Sequence, residues 1–463
     1  MVEKTKDVET LLGNPKKAML AMAIPVIISM VVQNANNLID TAWVAGLGTS
    51  ALAAVGFAFP LFFIIISVAN GIGIGSSSAI ARFIGMGDRE SANRTAGQAV
   101  ILTVVLSIII GAILFFVMEP LFTLLGAGDY VQDCVDYFTP VVLTMPVALT
   151  GVVMANILRS EGASRKAMYS QILSAVLNII LDPFFIYDYG LGWGLAGAAW
   201  ATGISMSVST LLLIYWYFFS GKTYLRIDFN RFRLDKELDK AIFRVGFPAS
   251  LEMVVVSVVS MIANVLLVQV DPENGVAIYS TTWKIIQVVM IPIMGMGSSI
   301  VPVCAAAYGL RKFDNIKVSY RFAIFSITAI MAVILVIVAF AADYIVMLFT
   351  YSDSTAALRP DMTYGLRLSC LFIIFVPWGF VTAGLFQSLG MGFKSLIGTF
   401  FRNLILLPIA GFLGIYYGSM EMFWVGVVIA EIVGTLVIGV WGLFVLASLM
   451  RQRRGDVPSQ LYS

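Results

Sequence analysis

The chain has 463 residues, of which 59% are hydrophobic and only 12% are charged, and its formal net charge is +2. This composition leaves too little polar surface to cover a water-soluble protein of this length, so most of the chain must lie in lipid. A net charge so close to zero argues against a nucleic-acid partner. The sequence therefore predicts an all-α, polytopic membrane protein.

The N-terminal residues are polar and lack the short apolar core and the small-residue cleavage site of a signal peptide, so we expect insertion through the first spanning helix. Three cysteines, Cys134, Cys304 and Cys370, stand far apart with no CxxC spacing. This pattern predicts free thiols rather than a disulfide framework or a thiolate metal site.

Apolar runs long enough to cross a bilayer core of about 30 Å occur twelve times along the chain. The predicted spans are 17–39, 51–78, 96–118, 130–157, 167–187, 193–219, 242–270, 276–300, 318–349, 361–388, 395–417 and 423–450. The longest hydrophilic link divides them six and six. The predicted divisions are an N-terminal tail at 1–16, an N-lobe at 17–220, a linker at 221–240, a C-lobe at 241–450 and a C-terminal tail at 451–463.

Lysine and arginine are concentrated in the tails and in the even-numbered connections, such as RSEGASRK at 159–166, whereas odd-numbered connections such as VDPENG carry acids. By the positive-inside rule both termini and the linker are predicted to be cytoplasmic, with the protein in the cell membrane.

A repeat relates the two halves, since GIGSS at 73–77 returns as GMGSS at 295–299. Six spans is an even number, so both repeats enter from the same side and are predicted to be related by a pseudo-two-fold axis along the membrane normal. The glycines of GIGIG at 71–75 predict close helix packing, because the segment lacks the strand and turn of a nucleotide loop.

Two acids, Asp40 and Asp182, lie within predicted spans of the N-terminal half, and those spans contain no base. Pro183 has no N–H, so the carbonyl of Ile179 loses its helical donor, and Asn178 lies one turn before Asp182 on the same face. Oxygen atoms grouped in this way suit a cation such as Na⁺, and a buried carboxylate can alternatively take a proton.

A second interpretation is that Asp182 only caps a helix end before the sequence YDYG. Asp40 makes this interpretation weaker, because it is another intramembrane acid on another helix that contains a proline, Pro25. Amides also precede it at positions 33, 34, 36 and 37.

Intramembrane charges of mixed sign, Glu252, Lys284, Arg402 and Glu431, mark the C-terminal half. Counting about 1.5 Å of helix rise per residue places Glu252 near the depth of Lys284, and Arg402 near that of Glu431. The sequence therefore predicts two structural ion pairs there.

The order of three segments is the most specific feature of the chain: NLIDTAWVAGLGTSALAAVG, then GIGIGSSSAIARFIGMGD, then LRSEGASRKAMYSQILSAVLNIILDP. This combination resembles the multidrug and toxic compound extrusion (MATE) family over residues 10–450, and within it the DinF-like branch with its archaeal members. That branch carries its coupling-cation site in the N-lobe.

The resemblance implies a cation site made of Asp40, Asn178, Asp182 and Thr202, with Pro25 as the bend of the first helix. It assigns Gln33, Asn36 and Asn156 to substrate contact or conformational change. One departure is Asn36, where relatives often have an aromatic residue.

The expected function is an antiporter that exports amphipathic, often cationic, organic compounds in exchange for Na⁺ or H⁺, with the neutral oxygens favouring Na⁺. We expect a monomer whose partners are these small molecules and membrane lipid, with no cofactor. A flippase for lipid-linked sugars is the alternative, and a cationic central cavity would favour it. An enzyme is not indicated, since the chain has no histidine, no GxSxG and no Walker A motif.

Overall fold

The computed structural model describes residues 5–227, 234–350 and 353–453. Within these ranges the chain is helical and contains no β-strand. Its helices are α1 Lys6–Leu12, α2 Pro15–Ala45, α3 Thr49–Met86, α4 Arg89–Leu124, α5 Val131–Ser160, α6 Ser164–Ile186, α7 Gly194–Phe218, α8 Lys236–Val270, α9 Gly275–Val289, α10 Ile291–Gly309, α11 Phe313–Met347, α12 Asp353–Ala356, α13 Arg359–Ile373, α14 Val376–Ser388, α15 Gly392–Tyr417 and α16 Met420–Arg453.

Among the described residues, eleven helices are long and apolar enough to cross a membrane. Helices α13 and α14 form one further span that is bent by 51° between them. The prediction of twelve spans in an all-α membrane protein is therefore confirmed.

Prolines interrupt two of the spans that were predicted to be continuous. The span at 361–388 is divided into α13 and α14, and Pro377 stands in the first turn of α14. The span at 276–300 is divided into α9 and α10 in the same way, with Pro292 in the first turn of α10. Proline has no N–H for the preceding turn and is therefore favoured at the start of a helix rather than in its interior.

The chain divides into two compact units that meet in sequence between Ser250 and Leu251. In the first unit α5 packs against α3, α4 and α7, while α2 lies along α6 and α6 along α7. In the second unit α16 packs against α13, α14 and α15, and α10 packs against α11 and α14. The three helices that carry the predicted cation-site residues, α2, α6 and α7, therefore belong to one packed unit.

The boundary between the units falls inside α8, because the first turns of α8 pack closely on α3. A Cβ atom added at Gly75 would lie 2.2 Å from the carbonyl oxygen of Ile242, and one at Gly71 would lie 2.4 Å from that of Gly246. Only glycine permits backbones to approach this closely. The predicted packing role of GIGIG is confirmed.

The predicted N-terminal tail contains the short helix α1, whose Val8 and Leu11 are buried. In the linker, Tyr224, Leu225 and Ile227 are also buried in the first unit. The polar composition of these segments did not indicate that they pack on the protein. Residues 1–4, 228–233 and 454–463 of the predicted tails and linker lie outside the described ranges.

Candidate coupling-ion site

Helix α6 positions one acid and one amide on the same face. Asp182 is completely buried, and Asn178 lies one turn before it. Nδ2 of Asn178 donates a hydrogen bond of 2.7 Å to Oδ1 of Asp182 and another of 3.3 Å to Oγ1 of Thr202 on α7. Because α6 continues to Ile186, Asp182 lies inside the helix rather than at its cap.

Helix α2 brings the second acid to the same place. The buried Asn36 donates a hydrogen bond of 2.8 Å to Oδ1 of Asn178. One turn later, the carboxylate of Asp40 lies within hydrogen-bonding distance of Asp182. Three helices thus contribute Asn36, Asp40, Asn178, Asp182 and Thr202 to a continuous set of contacts, which we call the acid-pair network.

The electrostatics of the acid-pair network demand a positive partner. Oδ1 of Asp40 and Oδ2 of Asp182 are buried without a hydrogen-bond partner in the protein. In the described part of the chain, no lysine or arginine forms an ion pair with either acid. Two carboxylates in contact repel each other unless they share a proton or a cation, which makes this pair a candidate binding site for one of the two.

Neutral oxygens complete the donor set around the pair. Thr202 supplies a hydroxyl, and Pro183, inside α6, leaves the carbonyl of Ile179 without its helical N–H. Carboxylate, hydroxyl and carbonyl oxygens are the ligands that hard cations prefer. The residues present therefore fit Na⁺ as well as a proton.

Three of the predicted site residues lie outside the acid-pair network. Pro25 is buried in α2, and the hydroxyl of Ser29 donates to its carbonyl at 2.6 Å. Gln33 is exposed and donates to Asn37 on its own helix. Asn156 accepts a hydrogen bond of 3.2 Å from Arg159.

The MatE family model matches the chain at residues 25–184 and again at 248–412, which together make up more than half of its length. The chain belongs to the MatE family.

Related proteins agree with this assignment over nearly the whole chain. A multidrug export protein, MepA, from Staphylococcus saprophyticus is 26% identical over 422 residues, which make up 91% of this chain and 92% of that protein. The crystal structure of a MATE protein in complex with MaL6 superposes with a TM-score of 0.94 at 36% identity, over 97% of this chain and 100% of that chain.

A second solved structure is similar to the same extent. It is a MOP superfamily transporter from Pyrococcus furiosus, for which reverse polarity of the binding pocket was taken to suggest a different function. It has a TM-score of 0.93 and 36% identity, over 97% of this chain and 99% of that chain. This MatE protein is therefore a multi-pass membrane transporter and not an enzyme.

One residue near the acid pair of this MatE transporter was missed by sequence reasoning. Tyr137 on α5 lies close enough to Asp40 and Asp182 for both carboxylates to act on it electrostatically. Nothing in the sequence marks it, because tyrosine is common near membrane interfaces and α5 carries no other sign of a site.

An aromatic contact holds α2 to α6 beyond the acid pair. The hydroxyl of Tyr187 donates to the carbonyl of Trp43 at 2.9 Å, and the two rings meet edge to face with centroids 6.0 Å apart. Trp43 follows Asp40 within one turn, so this contact fixes the helix end that carries the acid.

The charges of the C-terminal unit confirm one predicted ion pair and correct the other. Nε of Arg402 lies 3.8 Å from Oε2 of the buried Glu431, as predicted. The predicted pair between Glu252 and Lys284 is wrong, since Glu252 accepts from Nε2 of Gln387 at 3.5 Å and Lys284 is exposed. Helical counting compares only the positions of residues along their helices and does not give the side of the helix on which each one lies.

Proposed function

We propose that this transporter is a multidrug efflux antiporter of the cell membrane, with both termini in the cytoplasm. It exports amphipathic, often cationic, organic compounds in exchange for Na⁺ or H⁺ bound at the acid-pair network. The observation that carries this proposal is the contact between the buried carboxylate of Asp182 and the half-buried carboxylate of Asp40, neither of which forms an ion pair with a basic residue in the described part of the chain. The name of the Staphylococcus saprophyticus relative supports the substrate class.

The acid-pair network offers a physical route from ion binding to helix movement. Asp40 and Asp182 belong to different helices, so an ion held between them favours the arrangement in which α2 and α6 are in contact. Loss of that ion leaves two negative charges that repel each other, which favours separation of the helices. Ion occupancy and helix arrangement are thereby coupled, as antiport requires.

The two amides distinguish Na⁺ from H⁺ in this scheme. As placed, Asn178 presents its NH₂ group to Asp182 and its oxygen to Asn36. If the terminal amide groups of Asn36 and Asn178 are both flipped by 180°, the hydrogen bond between them is kept with its direction reversed. The oxygen of Asn178 then faces the acids, where it is a ligand for Na⁺. A proton needs no such ligand, so the presence of Asn178 and Thr202 favours Na⁺.

The test is efflux from proteoliposomes in which Na⁺ and pH gradients are imposed separately. The variants are Asp40→Asn and Asp182→Asn, and Asp188→Asn, an exposed acid beyond the end of α6, is the matched control. We expect each of the substitutions Asp40→Asn and Asp182→Asn to abolish gradient-driven efflux, while the control variant retains it. Normal efflux by both network variants would disprove the proposed coupling site.

The flippase alternative makes a different prediction in the same vesicles. A flippase for lipid-linked sugars would move such a lipid between leaflets and would not accumulate a soluble cation against its gradient.

We propose that the antiporter acts as a monomer surrounded by lipid, because the acid-pair network lies entirely within one unit of one chain.

A further inference from the structure

An apolar layer lies one helical turn beyond the acid-pair network. Each of the three helices that carry the network contributes one residue to this layer, four positions from its site residue, which is about 6 Å along the helix. The pairs of site and layer residues are Asp40 with Val44 on α2, Asp182 with Ile186 on α6, and Thr202 with Ala198 on α7. Helix α7 runs antiparallel to α6, since Gly197 packs on Phe185 while Thr202 contacts Asn178. All three layer residues therefore lie on the same side of the site.

The residues of this layer are buried and packed together. Val44 is 3% exposed, and Ile186 and Ala198 are each 2% exposed. They form one cluster with Ala51, in the first turn of α3. The cluster lies at the ends of α2 and α6 that point away from α1 and the linker, and in the proposed topology these ends face outside. We call these four residues the outer layer.

The opposite side of the acids is polar. One turn from Asp40 and Asp182 in that direction lie Asn36 and Asn178, whose side chains are joined by a hydrogen bond of 2.8 Å. Amide groups stabilise water and ions, whereas a packed apolar constriction excludes both. The site is therefore bordered by ion-compatible groups on one side and by a barrier on the other.

A hydrogen bond beside the outer layer joins α2 to α6. The hydroxyl of Tyr187 donates to the carbonyl of Trp43 at 2.9 Å. Trp43 directly precedes Val44 and Tyr187 directly follows Ile186, so the bond is next to two residues of the layer. A Cβ atom added at Gly46 would collide with the hydroxyl of Tyr187. Glycine at this position thus leaves room for the hydroxyl to reach its acceptor.

We propose that the outer layer is a gate that closes one end of the ion site, with Tyr187 as the positioning residue that latches it. The proposal rests on the proposed function, because the gated ion is the coupling ion of the antiporter. While the gate is closed, the ion reaches the acids only from the amide side. Separation of α2 from α6 breaks the bond of Tyr187 to Trp43 and opens the layer. Antiport requires such a barrier, since a site open at both ends would let the ion pass without moving a substrate.

The experiment measures access to a cysteine placed just behind the gate. Thr202→Cys, in a protein whose native cysteines are replaced by serine, reacts with a membrane-impermeant methanethiosulfonate reagent added outside the cell. The gate variants are Tyr187→Phe, which removes the donor, and Val44→Thr, which puts a hydroxyl into the layer. The matched controls are Tyr189→Phe, whose ring stacks on Tyr187 with centroids 5.7 Å apart, and Val31→Thr, at an exposed position of α2.

Tyr187→Phe should raise the labelling rate about fivefold, the effect of one lost hydrogen bond on the opening equilibrium. Val44→Thr should raise the rate as well, and both controls should match the parent. Unchanged rates in both gate variants, or a parent that reacts as fast as the exposed Asp188→Cys, would overturn the proposal. Melting temperatures show whether each variant folds, and Val44→Thr provides a second reading if Tyr187→Phe does not.

Ion flux separates this proposal from the proposed function. In proteoliposomes without substrate, Tyr187→Phe and Val44→Thr should leak Na⁺ or H⁺ down its gradient, while Tyr189→Phe stays tight. If labelling responds but neither ion leaks, the acids do not bind the coupling ion. The proposed function has then failed, and the outer layer stands as a gate against water. If the variants leak with no change in labelling, the ion takes another route and the gate is disproved.

Discussion

Asn36 on α2 donates a hydrogen bond of 2.8 Å to Asn178 on α6, and this contact joins residues that are 142 positions apart in the sequence. Asn178 in turn donates to Asp182 at 2.7 Å. Asn36, at which the sequence departs from the pattern that the resemblance implies, is therefore part of the acid-pair network. The side chain of Asn36 thereby holds Asn178 beside Asp182.

Replacement of Asn36 by alanine should weaken binding of the coupling ion without unfolding the protein. Oδ1 of Asn178 would lose its buried donor, a change that costs about 1 to 2 kcal/mol, or roughly tenfold in affinity. The matched control is Asn34→Ala, because Nδ2 of Asn34 donates only to the carbonyl of Met30 on its own helix. Titration of efflux with Na⁺ gives the apparent Na⁺ affinity of both variants. Equal losses of affinity in the two would show that the hydrogen bond from Asn36 to Asn178 does not contribute to ion binding.

Glu161, between α5 and α6, should make stability depend on pH. It is 1% exposed, and burial raises its pKa to about 8, although a backbone N–H from Leu225 and the charge of Lys166 oppose that rise. The folded protein therefore binds a proton between the usual carboxyl pKa and about 8 that the unfolded chain releases. Stability contributed by this group is complete below that window and falls as pH rises through it.

Thermal unfolding of the parent and Glu161→Gln across pH 5 to 9 tests this expectation. The amide oxygen of glutamine still accepts from Leu225, so the variant should lose less stability than the parent as pH rises. Glu90→Gln, an exposed acid in the first turn of α4, is the control and should follow the parent. A parallel decline in all three proteins would rule out Glu161 as the source.

Two glycines of α3 provide a matched test of the contact with α8. Gly75→Ala would place a Cβ atom 2.2 Å from the carbonyl of Ile242, which should cost about 1 to 3 kcal/mol through overpacking. Gly56, in the same helix, has open space at its Cβ position. Gly56→Ala should therefore leave the free energy of unfolding unchanged or raise it by about 0.5 to 1 kcal/mol. Melting temperatures that change in the same direction would contradict the close contact.

The orientation in the membrane is tested by single cysteines in a variant whose three native cysteines are replaced by serine. Cys134 itself is completely buried and unsuited to labelling, whereas Asp129 and Lys236 are exposed. Asp129→Cys should react with a membrane-impermeant maleimide from outside the cell, and Lys236→Cys only after the membrane is opened. The reverse pattern would place both termini outside.

Local patterns made part of the acid-pair network predictable from the sequence. Asn178 and Asp182 are one turn apart with Pro183 beside them, so helix geometry alone places them together. The contact of Asn36 with Asn178 and the proximity of Tyr137 to the two acids depend on how α2 and α5 rotate against α6, which a single sequence does not reveal. For the same reason the depth of Glu252 and Lys284 could be counted, while the side of the helix that each one occupies could not.

The central claim is that Asp40, Asp182 and their neutral neighbours bind the coupling ion, and Na⁺ calorimetry on the purified protein tests it most directly. The parent and the Asp188→Asn control should bind Na⁺ with equal affinity, and Asp182→Asn should not bind it. Asn178→Ala and Thr202→Ala should each weaken binding by about 1 to 2 kcal/mol, the cost of one lost ligand. Absence of Na⁺ binding in the parent, with efflux following the pH gradient alone, would make the pair a proton site. Equal Na⁺ affinity in Asp182→Asn and the parent would place the ion elsewhere and contradict the claim.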